Sequence, residues 1–316
     1  VPVRLRQHLL AALSVVLLVA VSACGSDDAS ATGGESRSRL DAVTIKGSVG
    51  SAPEVTWKSK MSASKVEEKT IVEGTGPEVA DGSSVLAQIW IGNGFSEQQA
   101  YSSYDEGGAQ IIGATDSIPP IAEALDGAKV GDRIAVTSSA DVAFGSDVGN
   151  PTLGFGNKDS VLLVVDVLSS VADAPSGEQT PAPGWMPKIT FTDGNPSALD
   201  FAGVPQPAGK FRKATLITGT GERVRKDMTV AVRYLGQVYG GDKPFDENFS
   251  KSPTAFQIGV GKVIEGWDKQ VVGSTVGSRI VIEVPPKLGY GDAGNETAGI
   301  KGTDTLFFVI DILAAG

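Results

Sequence analysis

The sequence predicts an α+β fold made twice over, each copy an antiparallel β-sheet wrapped on one short α-helix. Three observations carry this expectation. First, motifs recur at a nearly constant distance. Gly74-Thr75-Gly76 and Gly219-Thr220-Gly221 lie 145 residues apart, Val130-Gly131-Asp132-Arg133 and Val276-Gly277-Ser278-Arg279 lie 146 apart, and the apolar runs around Asp166 and Asp311 lie 145 apart. A period this long marks a duplicated domain, since solenoid repeats run about 20–50 residues. Second, TVAVRYLGQVY and RIVIEV alternate as half-buried strands do, with Val230, Val232 and Tyr234 on one face. Third, Ile264, Trp267 and Val271 recur at i, i+3 and i+7, the apolar stripe of one short helix.

Along the chain, residues 1–24 come first. They open with Arg4 and Arg6, run apolar from Leu9 to Val21, and end in small residues. That is a secretory signal pattern, too short for a comfortable transmembrane helix. Its end, Val21-Ser22-Ala23-Cys24, resembles a bacterial lipobox, so Cys24 is the expected lipidation site. A plain signal peptide or an uncleaved anchor is the alternative. Residues 25–39 are small and polar and read as a flexible tether. The first domain is expected over 40–172, a Pro/Gly/Ser-rich linker over 173–185, and the second domain over 186–316. VTIKGSVGSAPEVTW and ITFTDGNPSALDF are matching front extensions that predict an extra strand or two in each copy.

Removal of the leader changes the chemistry that remains. His8 is the one histidine and Cys24 the one cysteine. A processed chain therefore has no imidazole and no free thiol, which excludes Ser-His-Asp and Cys-His nucleophilic sites and His- or Cys-ligated zinc. No internal disulfide can form. Without Arg4 and Arg6 the balance is 25 basic against 37 acidic residues, a net charge of −12. So acidic a protein is a poor partner for nucleic acid, and its expected contact with a membrane is the lipid anchor alone. The expected location is the extracytoplasmic face of the cell membrane.

Seven motifs in the second copy carry a family resemblance. They are Val232-Arg233-Tyr234-Leu235-Gly236, Pro244-Phe245-Asp246, Phe256-Gln257-Ile258-Gly259, Val263-Ile264-Glu265-Gly266-Trp267, Val276-Gly277-Ser278-Arg279, Pro286-Lys287-Leu288-Gly289-Tyr290-Gly291 and Thr305-Leu306-Phe307-Phe308. In this order and spacing, from about Lys213 to Leu313, the segment resembles an FKBP-type peptidyl-prolyl cis-trans isomerase domain. The resemblance implies two FKBP-like domains, no cofactor and no metal. It implies proline-containing polypeptides as substrates and macrolides as inhibitors. Trp267 would floor a proline pocket walled by Tyr234, Phe245, Phe256, Val263, Ile264, Tyr290, Ile300 and Phe308. The Ile264 N–H and the Tyr290 hydroxyl would each hold a substrate carbonyl, and Asp246 would lie near the twisted carbonyl and orient Tyr290. Tyr234, Asp246 and Tyr290 are thus the expected catalytic residues. One departure is Thr254, where the family often has a second pocket aromatic.

This chemistry suits a chain without imidazole or thiolate. Rotation about an amide has a barrier of roughly 18–20 kcal/mol, and X-Pro bonds isomerise unaided in tens to hundreds of seconds. The reaction needs no nucleophile; it needs the twisted amide favoured over the planar one. An acceleration of about 10⁴ requires about 5.4 kcal/mol, and one hydrogen bond contributes a net ~0.5–1.5, so several groups must share it.

The first copy keeps the plan with other residues. Trp90 is expected at the place of Tyr234, Tyr101-Ser102 at that of Phe245-Asp246, and Ile118-Pro119-Pro120-Ile121 at that of Ile264 to Trp267. Phe144 replaces Tyr290 and Leu163 replaces Phe308. The expectation is a fold kept and a site lost, with activity in the second copy assisting the folding of exported proteins. The rival reading is a surface chaperone or binding lipoprotein with little catalysis. A small-solute-binding lipoprotein fits less well, because no α/β pattern is present.

Overall fold

The computed structural model describes residues 38–62, 65–113, 117–145 and 149–316. The expected signal segment, Cys24 and the tether up to residue 37 lie outside the described residues. Strands β1 (Val43–Lys46) and β2 (Glu54–Trp57) form an antiparallel hairpin, the extra pair that the first front extension predicts. Then follow β3 (Glu67–Val72), β4 (Ser84–Asn93), β5 (Gln98–Ser102), β6 (Gln110–Gly113), helix α1 (Pro119–Leu125), β7 (Arg133–Ser139), helix α2 (Ala140–Phe144) and β8 (Ser160–Ser170). They build one antiparallel sheet in the order β3-β7-β8-β4-β5, with β6 also paired to β4.

The second half repeats this arrangement. After a short strand β9 (Gly177–Gln179), β10 (Lys188–Thr192) and β11 (Asn195–Asp200) form the corresponding hairpin. Strands β12 (Arg212–Gly219), β13 (Thr229–Val238), β14 (Asp246–Glu247) and β15 (Thr254–Gln257) precede helix α3 (Glu265–Val271), and β16 (Arg279–Val284) and β17 (Leu306–Ala315) complete the set. Their sheet runs β14-β13-β17-β16-β12-β9, with β15 on β13. Central strands β8 and β17 are buried on both faces, by the main core on one side and the cluster under the hairpin on the other, which is why both read as near-continuous apolar runs.

Two details depart from the sequence reading. Residues 177–179 of the expected linker are an edge strand paired with β12, so the second sheet begins before residue 186. The first half also holds a second short helix, α2, because Ala140–Phe144 lacks the proline and the glycine of Pro286–Tyr290, where Pro286–Leu288 form a 3₁₀ turn instead.

Each helix is set by its ends. Pro119 opens α1 where a missing N–H costs nothing. Helix α3 has Glu265 and Asp268 in its first turn, Lys269 in its last, and a Glu265–Lys269 ion pair, all favourable to the helix dipole. Gly266 lets α3 close on its sheet, because a Cβ there would lie 2.8 Å from Val284. The main cores lie between these helices and the sheets, while smaller clusters fill the space under each hairpin.

Residues 38–316 form one compact body. Its two sheets meet along a buried apolar seam of Leu86, Ala109, Ala231 and Ala314. Main-chain groups cross it: the Ala109 N–H donates to Thr229 Oγ1 at 3.2 Å, and the Ala172 N–H to the Leu313 carbonyl at 3.1 Å. No helix among the described residues is long and apolar enough to cross a membrane.

Candidate functional site

Between α3 and the second sheet, aromatic rings converge on Trp267. Its indole is 4% exposed and meets three rings edge-on: Tyr234 at 5.2 Å, Phe256 at 5.5 Å and Phe308 at 5.5 Å between centroids. Phe245 stands edge-on to Phe308 at 5.7 Å, and Tyr234 to Phe256 at 5.9 Å. Edge-to-face pairs of this kind contribute about 0.5–1.5 kcal/mol each beyond area burial and hold the rings rigid. Gly236 is required by the cage: a Cβ would lie 2.6 Å from Phe245 and 2.7 Å from Phe308.

The sequence-predicted residues gather here. Trp267, Ile300 and Phe308 are buried members of one cluster; Tyr234, Phe245, Phe256, Val263, Ile264 and Tyr290 are half-buried against it. The half-buried set forms the rim and can face a ligand. Val263 and Ile264 come from the loop before α3, where Asp268 accepts hydrogen bonds from the Gly259 and Gly261 N–H groups at 2.8 and 2.6 Å. Ile264 is the N-cap of α3, and its N–H makes no hydrogen bond among the described residues. Ile300 is set by a reciprocal main-chain pair with Asn295.

Asp246 is exposed, and its Oδ2 accepts the Tyr234 hydroxyl at 2.6 Å. Here the structure corrects the expectation that Asp246 orients Tyr290: the carboxylate is engaged by Tyr234 instead. Tyr234 sits on β13 directly beside β14, which carries Asp246, and so wins the contact. Burial pushes the Tyr234 phenol above its ordinary value, reinforced by the hydrogen bond to Asp246 and the carboxylate charge. Tyr290 is pushed up by burial, with the side chain of Asn295 opposing and the charge of Asp246 adding. Both phenols stay protonated donors at neutral pH.

The first half shows what replaces the cage, and it corrects a second expectation. Trp90 does not occupy the place of Tyr234. On their sheets Gln88 pairs with Asp166 and Arg233 with Asp311, so the next residues, Ile89 and Tyr234, are equivalent, and Trp90 matches Leu235. Sheet periodicity is two, so a one-residue slip moves a side chain to the opposite face. Trp90 therefore packs under hairpin β1–β2, and its indole N–H donates to Gln99 at 2.7 Å. The same slip applies to the next strand: Tyr101 stands opposite Ile91 as Asp246 stands opposite Gly236. Ile121 follows N-cap Ile118 as Trp267 follows N-cap Ile264, and Phe144 packs on Phe155 at 5.3 Å. Ile89 and Leu163 from the sheet and Ile121 from α1 thus share one plain apolar core.

Two positioning residues escaped sequence reasoning. Asp268 could have been noticed, since an acidic first-turn residue follows Gly259 and Gly261 closely. Asn248 could not: it looks like any hairpin asparagine, yet it is 5% exposed and its side chain makes three hydrogen bonds.

Comparison with known proteins matches residues 220–313 to the family described as FKBP-type peptidyl-prolyl cis-trans isomerase. The chain is 37% identical over 117 residues to an FK506-binding protein of Streptomyces anulatus, covering 37% of this chain and 94% of that protein. It is 37% identical over 109 residues to FK506-binding protein 2 of Dictyostelium discoideum, 33% of this chain and 74% of the other. It is 36% identical over 121 residues to peptidyl-prolyl cis-trans isomerase FKBP53 of Arabidopsis thaliana, 38% of this chain but 24% of that longer protein.

Proposed function

The chain belongs to the FKBP-type peptidyl-prolyl cis-trans isomerases, and from that premise we propose that catalysis resides in the cage around Trp267, with proline-containing segments of exported polypeptides as substrates. The observation that carries this reading is the cage itself: rigid rings on Trp267, an unclaimed Ile264 N–H and the Tyr234–Asp246 pair at one rim. The proline ring packs on the indole. The Ile264 N–H and the Tyr290 hydroxyl bind the flanking carbonyls. The dry walls disfavour the charge-separated planar amide, because resonance puts more negative charge on its oxygen, so the twisted state gains in relative terms. Asp246, held by Tyr234, lies at the edge where the rotating carbonyl passes. A macrolide that mimics a twisted prolyl amide would occupy the same cage, as the names of the FK506-binding relatives suggest.

On this reading the first half is a second copy of the fold without a site. Matching strand order and the replacement of Tyr234 and Trp267 by Ile89 and Ile121 support it. In a proline-limited refolding assay the full chain should accelerate the slow phase, Asp246→Asn should lower turnover with little loss of stability, and Phe144→Leu should leave the rate unchanged. An inert parent would favour the binding-protein alternative. Equal losses from the two variants would sink the division of labour.

The reading also puts the protein on the outer face of a cell membrane, held by lipid on Cys24, with the lipobox pattern and the polar stretch 25–39 in support. Cys24→Ala should release the protein from membranes on alkaline washing. Undiminished membrane retention would count against lipidation.

A further inference from the structure

We propose that Asn248 is a positioning residue for the isomerase site, locking the strand of Phe256 to the strand of Tyr234. The inference rests on the reading of the Trp267 cage as the catalytic one.

Strand β13 has two partners along one edge. Its pairing with β15 ends at Val232–Thr254, and its pairing with β14 begins at Leu235–Glu247. Arg233 and Tyr234 therefore face a gap between two ladders, at the residue whose ring and hydroxyl shape the site. Asn248 fills this gap. Its N–H donates to the Tyr234 carbonyl at 3.0 Å, and its side-chain Oδ1 accepts the Tyr234 N–H at 2.6 Å. Its Nδ2 donates to the Val232 carbonyl at 3.1 Å and to Thr254 Oγ1 at 3.0 Å. Both amide protons are used, and a flipped amide would set Nδ2 against the Tyr234 N–H and Oδ1 against the Val232 carbonyl. The orientation is therefore fixed.

The first half supplies a comparison inside the same molecule. Ser103 fills the equivalent gap, its N–H donating to the Ile89 carbonyl at 2.9 Å and its Oγ accepting the Ile89 N–H at 2.9 Å. The shorter side chain turns to Gln88 and makes no bond to β6. There the two edge strands are joined instead by Gln110 Nε2 donating to the Tyr101 hydroxyl, so among the described residues the half with the aromatic cage is the one that makes the tie through the gap residue itself. The partner of that tie is Thr254, the residue that departs from the family pattern. Phe256 lies two residues along β15 on the same face, so the tie fixes the wall that touches both Tyr234 and Trp267.

The test is a double-mutant cycle in the full chain. Asn248→Ser copies Ser103, keeping the bond to Tyr234 and releasing both the Val232 carbonyl and Thr254, of which only Thr254 belongs to β15; Thr254→Val removes only the hydroxyl at an exposed strand position. Each should raise KM for a prolyl peptide roughly three- to tenfold, the effect of one neutral hydrogen bond, with kcat within about twofold because Asp246 and Tyr234 remain paired. The double variant should match Asn248→Ser, since the Thr254 hydroxyl has already lost its Asn248 partner there. Unchanged KM in both single variants, or a double effect equal to their product, overturns the proposal. Amide exchange of β15 needs no turnover and should quicken equally in both variants. If the parent proves inactive, unaltered exchange refutes the link, while quickened exchange upholds it and leaves only the catalytic reading to fail.

Discussion

Trp267→Leu is expected to leave the chain folded and to weaken binding of prolyl peptides and macrolides by at least about tenfold. A central aromatic in a desolvated pocket commonly contributes about 2 kcal/mol or more to binding, and about 1.4 kcal/mol is a factor of ten. Leucine keeps much of the apolar contact with the core but none of the three edge-on pairs to Tyr234, Phe256 and Phe308. Truncation to alanine would be a poorer experiment, since losing a buried aromatic outright costs about 3–5 kcal/mol and confounds pocket with fold. Trp267 is one of four tryptophans, and the others, Trp57, Trp90 and Trp185, lie outside the cage. Ligand-induced fluorescence change should therefore vanish in the variant, while a denaturant titration still shows a cooperative transition. Loss of stability with unchanged affinity in the folded fraction would make the indole a core residue only.

How much of this was legible depended on what each residue does. The second-half cage could be read because its motifs are dense and ordered, and because strand alternation put Tyr234 on the same face as Val230 and Val232. In the first half, glycine misled. Gly92 looks like the partner of Gly236, yet the two make room on opposite faces: a Cβ on Gly92 would strike the Trp90 ring, and one on Gly236 would strike Phe245 and Phe308. Aligning them slips β4 by one residue, enough to put Trp90 in the wrong layer. Strand β9 was hidden for a different reason. Its residues, Gly177–Gln179, have little strand propensity and are exposed; they pair because β12 offers an open edge. Asn248 acts through a gap between two ladders, a feature of three-dimensional pairing with no period in sequence.

Arg133, Asp166, Arg279 and Asp311 are legible in sequence as markers of the repeat, but only the fold shows that they are two ion pairs of unequal depth. Arg133 and Asp166 have fully buried side chains, joined by Nε–Oδ1 and Nη2–Oδ2 bonds of 2.7 Å each. The guanidinium also donates to the carbonyls of Lys46, Ser48 and Ser51, while the carboxylate accepts the Gly50 N–H and the Tyr104 hydroxyl at 2.6 Å each. The pair thereby fastens hairpin β1–β2 to the sheet. Arg279 and Asp311 form the same fork, but Arg279 is 13% exposed and lies over Phe191 and Phe249. Asp166→Ala should therefore cost about 3–5 kcal/mol, because it strands a buried cation. Asp311→Ala should cost less, since Arg279 keeps a path to water and two aromatic faces. Replacing Arg133 and Asp166 together by Met and Leu should recover part of the loss, with the remainder set by the hairpin carbonyls and the Gly50 N–H left without partners. Denaturant midpoints for the three variants, with hydrogen exchange followed in β1 and β2, measure these differences. An Asp166→Ala variant no less stable than Asp311→Ala would show that burial of the pair does not govern its contribution, and the fastening role of Arg133 would fall with it.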